Sequence, residues 1–189
     1  SMLESSAGVP LILSDVEDRA GAICKTPVNL IDSYQTILDC VGLPLTDDEE
    51  EMPGRSLYEI SSRADSGGIT FSEYHDGGTT LAHYMLRYRS EGSDVDGKEK
   101  EDWKYIYYVG HPPQLFNLAD DPHELADLGQ SSAHADVRQK CDALLRQIVE
   151  PDAIDALARA DQRRKVDALG GRDAVLQSMG DFGFTPIEE

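Results

Sequence analysis

Three segments rich in aromatic and β-branched residues lie close together in the middle of the chain: 69–74 (Ile-Thr-Phe-Ser-Glu-Tyr), 83–88 (His-Tyr-Met-Leu-Arg-Tyr) and 103–109 (Trp-Lys-Tyr-Ile-Tyr-Tyr-Val). No other feature restricts the fold as much. Such side chains suit a pleated, half-buried surface. The connections carry Gly77-Gly78 and the Gly- and charge-rich stretch 90–102, so the segments read as neighbouring strands of an antiparallel sheet, with a long hairpin loop before the last. Alternation puts Tyr105 and Tyr107 on one face and Ile106 and Tyr108 on the other. A sheet needs a cover. Ser132 can cap a helix over about 133–149 that brings Val137, Cys141, Leu144, Leu145 and Ile148 to one side. Pro151 ends it, and a weakly anchored second helix follows over 152–169, with Asp155 and Arg159 paired four residues apart.

Upstream the pattern changes. The run 9–13 (Val-Pro-Leu-Ile-Leu) is short, continuous and apolar, which suits a strand buried on both faces of an α/β sheet. Thr26-Pro27 marks a helix start, Leu30, Ile31, Tyr34, Ile37, Leu38 and Val41 recur at helical spacing, and Gly42 stops the pattern; this predicts an amphipathic helix over 28–41 that covers the sheet. Asp47-Asp48-Glu49-Glu50-Glu51 reads as a solvated acidic loop, because like charges repel. The expected fold class is α+β: a small antiparallel sheet packed by a C-terminal helix, plus a strand and helix left over from a larger α/β domain. The expected organisation is 1–60 for that remnant (strand 9–13, helix 28–41, acidic loop), 61–150 for the sheet with its packing helix, and 151–189 for a helical and aromatic tail. Apolar faces deprived of their own sheet invite association, so a homo-oligomer is expected.

Charge excludes some partners. With 17 Lys+Arg against 36 Asp+Glu, the net charge is −19, which argues against nucleic acid and anionic membranes, since both require clustered cations. No window approaches the roughly 20 apolar residues that span a bilayer, and 1–20 lacks the pattern of a secretory signal. Ser1-Met2 reads as a tag remnant leading into a piece of something longer. Cys24, Cys40 and Cys141 form no CxxC pair and encode neither a disulfide framework nor a zinc site. They are expected to be buried free thiols, which favours a reducing compartment such as the cytoplasm. The histidines at 75, 83, 111, 123 and 134 lack the HExxH spacing.

The densest polar cluster is Ser72-Glu73-Tyr74-His75-Asp76. Alternation puts Glu73 and His75 on one face of a strand end and Tyr74 on the other. Such a pair could bind a cation or orient a substrate, or could simply end a strand as a hydrogen-bonded pair. Tyr105 and Tyr107 could likewise form part of a cage for a quaternary ammonium group, although sheet core explains them at least as well.

A set of landmarks then emerges in order: Glu4-Ser-Ser-Ala-Gly-Val-Pro-Leu-Ile-Leu13, Thr26-Pro-Val-Asn-Leu-Ile-Asp-Ser-Tyr-Gln-Thr-Ile-Leu-Asp-Cys-Val-Gly-Leu-Pro44, Pro53-Gly-Arg-Ser-Leu57, Lys104-Tyr-Ile-Tyr-Tyr108, and Leu115-Phe-Asn-Leu-Ala-Asp-Asp-Pro-His-Glu-Leu125. Together they resemble the C-terminal third of a type I sulfatase of the alkaline phosphatase superfamily. Ser72-Glu-Tyr-His75 and Asp161-Gln-Arg-Arg164 resemble most the choline-sulfatase branch.

The resemblance implies a parent that is a sulfuric ester hydrolase. In that family a Cys or Ser of a Cys/Ser-x-Pro-x-Arg motif becomes formylglycine, whose hydrate attacks sulfur beside a calcium held by Asp and Asn. None of the cysteines here fits, since Cys24 has Pro at the third following position rather than the second. Met52-Pro53-Gly54-Arg55 copies half of the motif, but Glu51 stands at the nucleophile position. The family's metal segment and active-site Lys lie just upstream of the residue resembling Glu4. The chain is therefore expected to carry no catalytic residue, metal ligand or cofactor, with calcium belonging to the parent, and to be inactive alone. Its implied partners are the rest of the catalytic domain and a small sulfate ester. The implied substrate contacts are Glu73, with Tyr74 and His75 beside it, and Asp181 from a tail that crosses between subunits. The alternative is a non-catalytic interaction module descended from a sulfatase.

Overall fold

A computed structural model describes residues 2–14, 21, 23–63, 67–75, 81–91 and 101–178. Its centre is a sheet of β1 (Gly68–Tyr74), β2 (His83–Arg89), β3 (Asp102–Tyr108) and β4 (His111–Asn117), antiparallel throughout and in chain order. The expected sheet is present with one strand more. β4 carries Pro112 and Pro113, which argue against a strand in sequence; among the described residues it pairs only with β3, and an edge strand tolerates the missing N–H groups. Gly110, at φ 74°, makes the tight turn between them.

One face is covered by α5 (Ala135–Ile148), which follows a 3-10 turn over Ser132–His134. Tyr84, Leu86, Trp103, Tyr105 and Leu115 from the sheet meet Cys141 and Leu145 from α5, all buried. Each such side chain contributes roughly 1.5–3 kcal/mol on burial. α5 ends where Val149 turns extended, and Pro151 opens α6 (Pro151–Ala168) at a position where its missing N–H costs nothing. α7 (Arg172–Ser178) follows. The other face holds Met85, Ile106, Phe116 and Leu118, closed by Met2 and, partly buried, Leu3 and Ala7 from the single-turn helix α1 (Glu4–Ala7). The alternation of Tyr105 and Tyr107 against Ile106 and Tyr108 holds, and it is this two-faced core that the tyrosines serve rather than a cation cage.

The upstream elements depart from expectation. Residues 9–13 form no strand, and Leu11, Ile12 and Leu13 are exposed, because a strand exists only through a partner and no described strand runs beside them. α2 (Asp32–Cys40) starts later than 28, because Asn29 and Asp32 are engaged outside a helical ladder: Asn29 Oδ1 accepts from the Phe71 N–H at 3.2 Å, and Asp32 Oδ2 accepts from the Asn29 N–H at 2.7 Å. α2 does not cover the four-stranded sheet. Its buried residues are Asp32 and Thr36, which bond Arg55 and Leu57 N–H groups next to α4 (Leu57–Ser62). Its apolar side is open, with Leu30 65% and Ile37 63% exposed.

The acidic run is also more than a loop. Asp47–Glu50 forms a helical turn, α3, in which the Glu49 carboxylate accepts from the Thr46 N–H at 2.8 Å. Acids crowded into a first turn meet the positive end of the helix dipole, which offsets their repulsion. Tyr34 donates its hydroxyl to Glu49, which lowers the Glu49 pKa and raises that of Tyr34. The cysteines divide: Cys141 is buried, but Cys24 and Cys40 are exposed, against expectation. Both belong to the upstream segment whose apolar side is open. Among the described residues no helix is long and apolar enough to cross a membrane.

Candidate functional site

The strand end of β1 places the expected contact residues on two faces. Glu73 stands opposite Tyr84 and Tyr74 opposite His83. Glu73 is exposed, and among the described residues no hydrogen bond or ion pair engages its carboxylate. His75, half-buried, lies edge-on to the Tyr84 ring at 5.2 Å, with Nε2 at 2.6 Å from the Tyr84 hydroxyl. On the opposite face Tyr74, His83 and Tyr108 form a ladder of tilted rings, 5.1 and 5.4 Å apart. Glu73 and His75 thus share a face, and Tyr74 does not join them. Asp181 lies outside the described residues. A shallow recess of about 550 Å³, lined by Gly67, Gly68, Ile69, Tyr88, Arg89, Ser90 and Glu91, sits at the other end of the β1–β2 hairpin.

Tyr84 ties this strand end to the helices. Its hydroxyl donates to the Pro151 carbonyl at 3.1 Å. Burial, with the Glu73, Asp155 and Asp152 charges, raises its pKa and keeps the phenol neutral. Tyr105 and Tyr107 extend the pattern, donating to Asp142 at 3.0 Å and to Asp152 at 2.9 Å. Burial is the first cause that raises both tyrosines, reinforced by those carboxylates. Arg146 bridges Asp142 and Glu150 at 3.0 Å each and lies over the Tyr107 ring. Neutral tyrosines, each spending its proton on α5 or on the start of α6, make a scaffold for the Glu73 end of β1 rather than acid–base machinery.

A second constellation, none of whose residues is among the candidates named from sequence, lies on the other face. The Lys104 ammonium, fully buried, lies 2.6 Å from Glu4 Oε1 and 2.8 Å from Glu124 Oε1, and donates to the Met2 carbonyl at 3.2 Å. Glu124 Oε2 accepts from the Glu4 N–H at 2.6 Å. Next to it Arg87 holds Asp102 in a two-pronged grip, Nε and Nη2 each 3.0 Å from a carboxylate oxygen. Burial opposes the Arg87 charge, but the bonds and charge of Asp102, with Glu4 and Glu124 beyond, outweigh it and raise the Arg87 pKa. The signal that could have found this cluster is the landmarks themselves, for Glu4, Lys104 and Glu124 come from separate ones. Among the described residues no group of three or more His, Cys, Asp and Glu side chains is placed to hold a metal ion, so these residues do not fit a calcium site.

The chain is similar to sulfatases. It is 36% identical over 159 residues to arylsulfatase K of Danio rerio, covering 79% of this chain and 27% of that protein. The corresponding figures are 30% over 168 residues, 82% and 28%, for arylsulfatase K of Bos taurus, and 33% over 140 residues, 68% and 23%, for that of Homo sapiens. No family model matches. A structure solved with D-glucosamine-2-N,6-O-disulfate as its substrate overlaps with a TM-score of 0.49 at 17% identity, over 65% of this chain and 25% of that one. A phosphonate monoester hydrolase of Agrobacterium radiobacter gives 0.41 at 20% identity, over 61% and 23%. The chain is thus related to sulfatase-family proteins, and it spans about a quarter of the length of the curated relatives it matches.

Proposed function

We propose that this relative of the sulfatases is the C-terminal portion of a sulfuric ester hydrolase, in which the reacting groups and calcium belong to the upstream portion. The observation that carries this reading is helix α2, whose buried residues are Asp32 and Thr36 while Tyr34 and Ile37, with Leu30, Ile31 and Val41 at its two ends, are exposed. An apolar stripe of that size is normally covered. Val9, Leu11, Ile12 and Leu13 are also open, so a sheet that accepts 9–13 as a strand and α2 as a cover would bury both. The similarity to proteins about four times as long supports the same arrangement.

Within that hydrolase, Glu73 is the contact for the substrate's cationic group. His75 shares its face, Tyr74, next in sequence, turns to the other face of the strand, and the choline-sulfatase likeness adds Asp181 of the tail as a second acid. A carboxylate suits a fixed positive charge that has no hydrogen to donate. The test compares this chain with the longer natural reading frame that contains it, on aryl and choline sulfates with calcium present. Turnover by the longer protein and none by the 189-residue chain is the expected result; turnover by the chain alone refutes the assignment. The exposed faces also favour a second reading, a non-catalytic module that assembles with copies of itself. A longer protein that holds no nucleophile motif and shows no turnover, with a dimeric or larger mass for the chain by sedimentation, would select it.

A further inference from the structure

We infer that Lys104 is a positioning residue for the reacting portion of this hydrolase, acting through Glu4 to fix the path on which the chain meets the sheet; this rests on the sulfatase reading above.

Lys104 is fully buried; its ammonium donates to the Met2 carbonyl at 3.2 Å and pairs in charge with Glu4 Oε1 at 2.6 Å and Glu124 Oε1 at 2.8 Å, the latter oxygen accepting no hydrogen bond among the described residues. Two of the three belong to residues 2–4. The third, Glu124, returns to the same segment by taking the Glu4 N–H on its other oxygen. Glu124 itself is held at φ 55°, a conformation a non-glycine residue keeps only when its surroundings fix it. The Asp121 carboxylate supplies that support, accepting from the Leu125 and Ala126 N–H groups at 3.1 and 2.8 Å.

Packing alone could not do this. α1 is a single turn, too short to be stable by itself. Its apolar contacts through Leu3 and Ala7 would be satisfied by neighbouring placements on Met85, Ile106 and Phe116. A buried ion cluster adds little net stability over apolar residues of the same shape, but a placement that separates Lys104 from Glu4 or Glu124 leaves a buried charge uncompensated, which is costly. The cluster therefore sets direction and register for the segment at 2–8, and through it for whatever that segment joins.

The test has two arms. In the first, amide hydrogen exchange is followed on the 189-residue chain for the wild type, Lys104→Met and Glu4→Gln. The amides of Ser6, Ala7 and Gly8, bonded to Leu3 and Glu4 carbonyls, are expected to exchange about tenfold faster in both variants, while those of β2 and β3 stay within about twofold of wild type. Glu4→Gln keeps the side chain's shape at a part-exposed site, so it remains informative if Lys104→Met fails to fold. Unchanged exchange at 6–8 in Glu4→Gln overturns the inference. In the second arm the same variants in the longer protein are expected to lower kcat about tenfold with KM within about twofold, the mark of misplaced reacting groups rather than lost substrate contacts. A wild type that turns over with kcat unchanged in both variants overturns the positioning role and leaves the sulfatase reading standing. A wild type without turnover rejects that reading and the role with it.

Discussion

Tyr84 accepts a hydrogen bond from His75 Nε2 at 2.6 Å while its own proton goes to the Pro151 carbonyl at 3.1 Å. The direction follows from the partners. A carbonyl can only accept, so the phenol donates there, and His75 must carry its hydrogen on Nε2. One hydroxyl thus links the end of β1 to the first residue of α6. Tyr84→Phe keeps the ring in the core and leaves both partners unmet. It should cost about 1–2 kcal/mol, measured as a lower urea midpoint at unchanged slope. A change below a few tenths would show that water replaces the hydroxyl.

His83 makes stability pH-dependent. Burial is the first cause that lowers its pKa from 6.5, with His75 among the charges acting in the same direction, while the Leu81 carbonyl opposes it. The unfolded chain then binds a proton before the folded one does. This contribution is complete above pH 6.5, begins to fade as pH falls through that value, and is lost below the folded pKa. His83→Gln should flatten the thermal midpoint against pH between about 7 and 5 relative to wild type. An identical slope in the variant would assign the pH dependence to other groups.

The central sheet and α5 were legible because aromatic alternation and helical spacing report burial directly, and both are satisfied inside this chain. β4 was not, since its prolines speak against a strand and only its edge position, a tertiary fact, permits them. The amphipathic pattern of 28–41 located a helix, and its apolar side is exposed. Periodicity states that a face is apolar, not which surface meets it, and here Asp32 and Thr36 took the inward side by bonding the Arg55 and Leu57 N–H groups. Of the candidate site, the shared face of Glu73 and His75 could be read from strand alternation. Of the Lys104 cluster, the landmarks hold Glu4, Lys104 and Glu124 separately; what joins them is topology, and a lone Lys in a strand reads as an exposed one.

The thiols should separate in rate. Burial pushes the Cys141 thiol up to about 12, whereas Cys24 and Cys40 are exposed. Since the thiolate is the reacting form, native protein should release two equivalents of colour quickly with a disulfide reagent and the third only on denaturation. Rapid reaction of all three would mean that the α5 face opens readily. A single fast equivalent would mean that one upstream cysteine is covered in solution, as association through the α2 side would produce.

Glu73→Gln separates charge from shape at the strand end. The carboxylate is exposed and opposite Tyr84, so the amide should be accommodated with a stability change within about 0.5 kcal/mol. Binding is where the loss should fall. In the longer protein, the variant should bind a cationic sulfate ester about fivefold more weakly, roughly 1 kcal/mol, with little change for a neutral ester of similar size. Raised ionic strength should shrink the wild-type preference and leave the variant's nearly unchanged, because screening acts only on the charge–charge part of the contact. Inhibition constants for a matched pair of cationic and neutral sulfate esters measure both effects. Equal weakening toward the two esters would remove Glu73 from the cation contact and leave it as the exposed end of a strand whose neighbour, Tyr84, serves the fold.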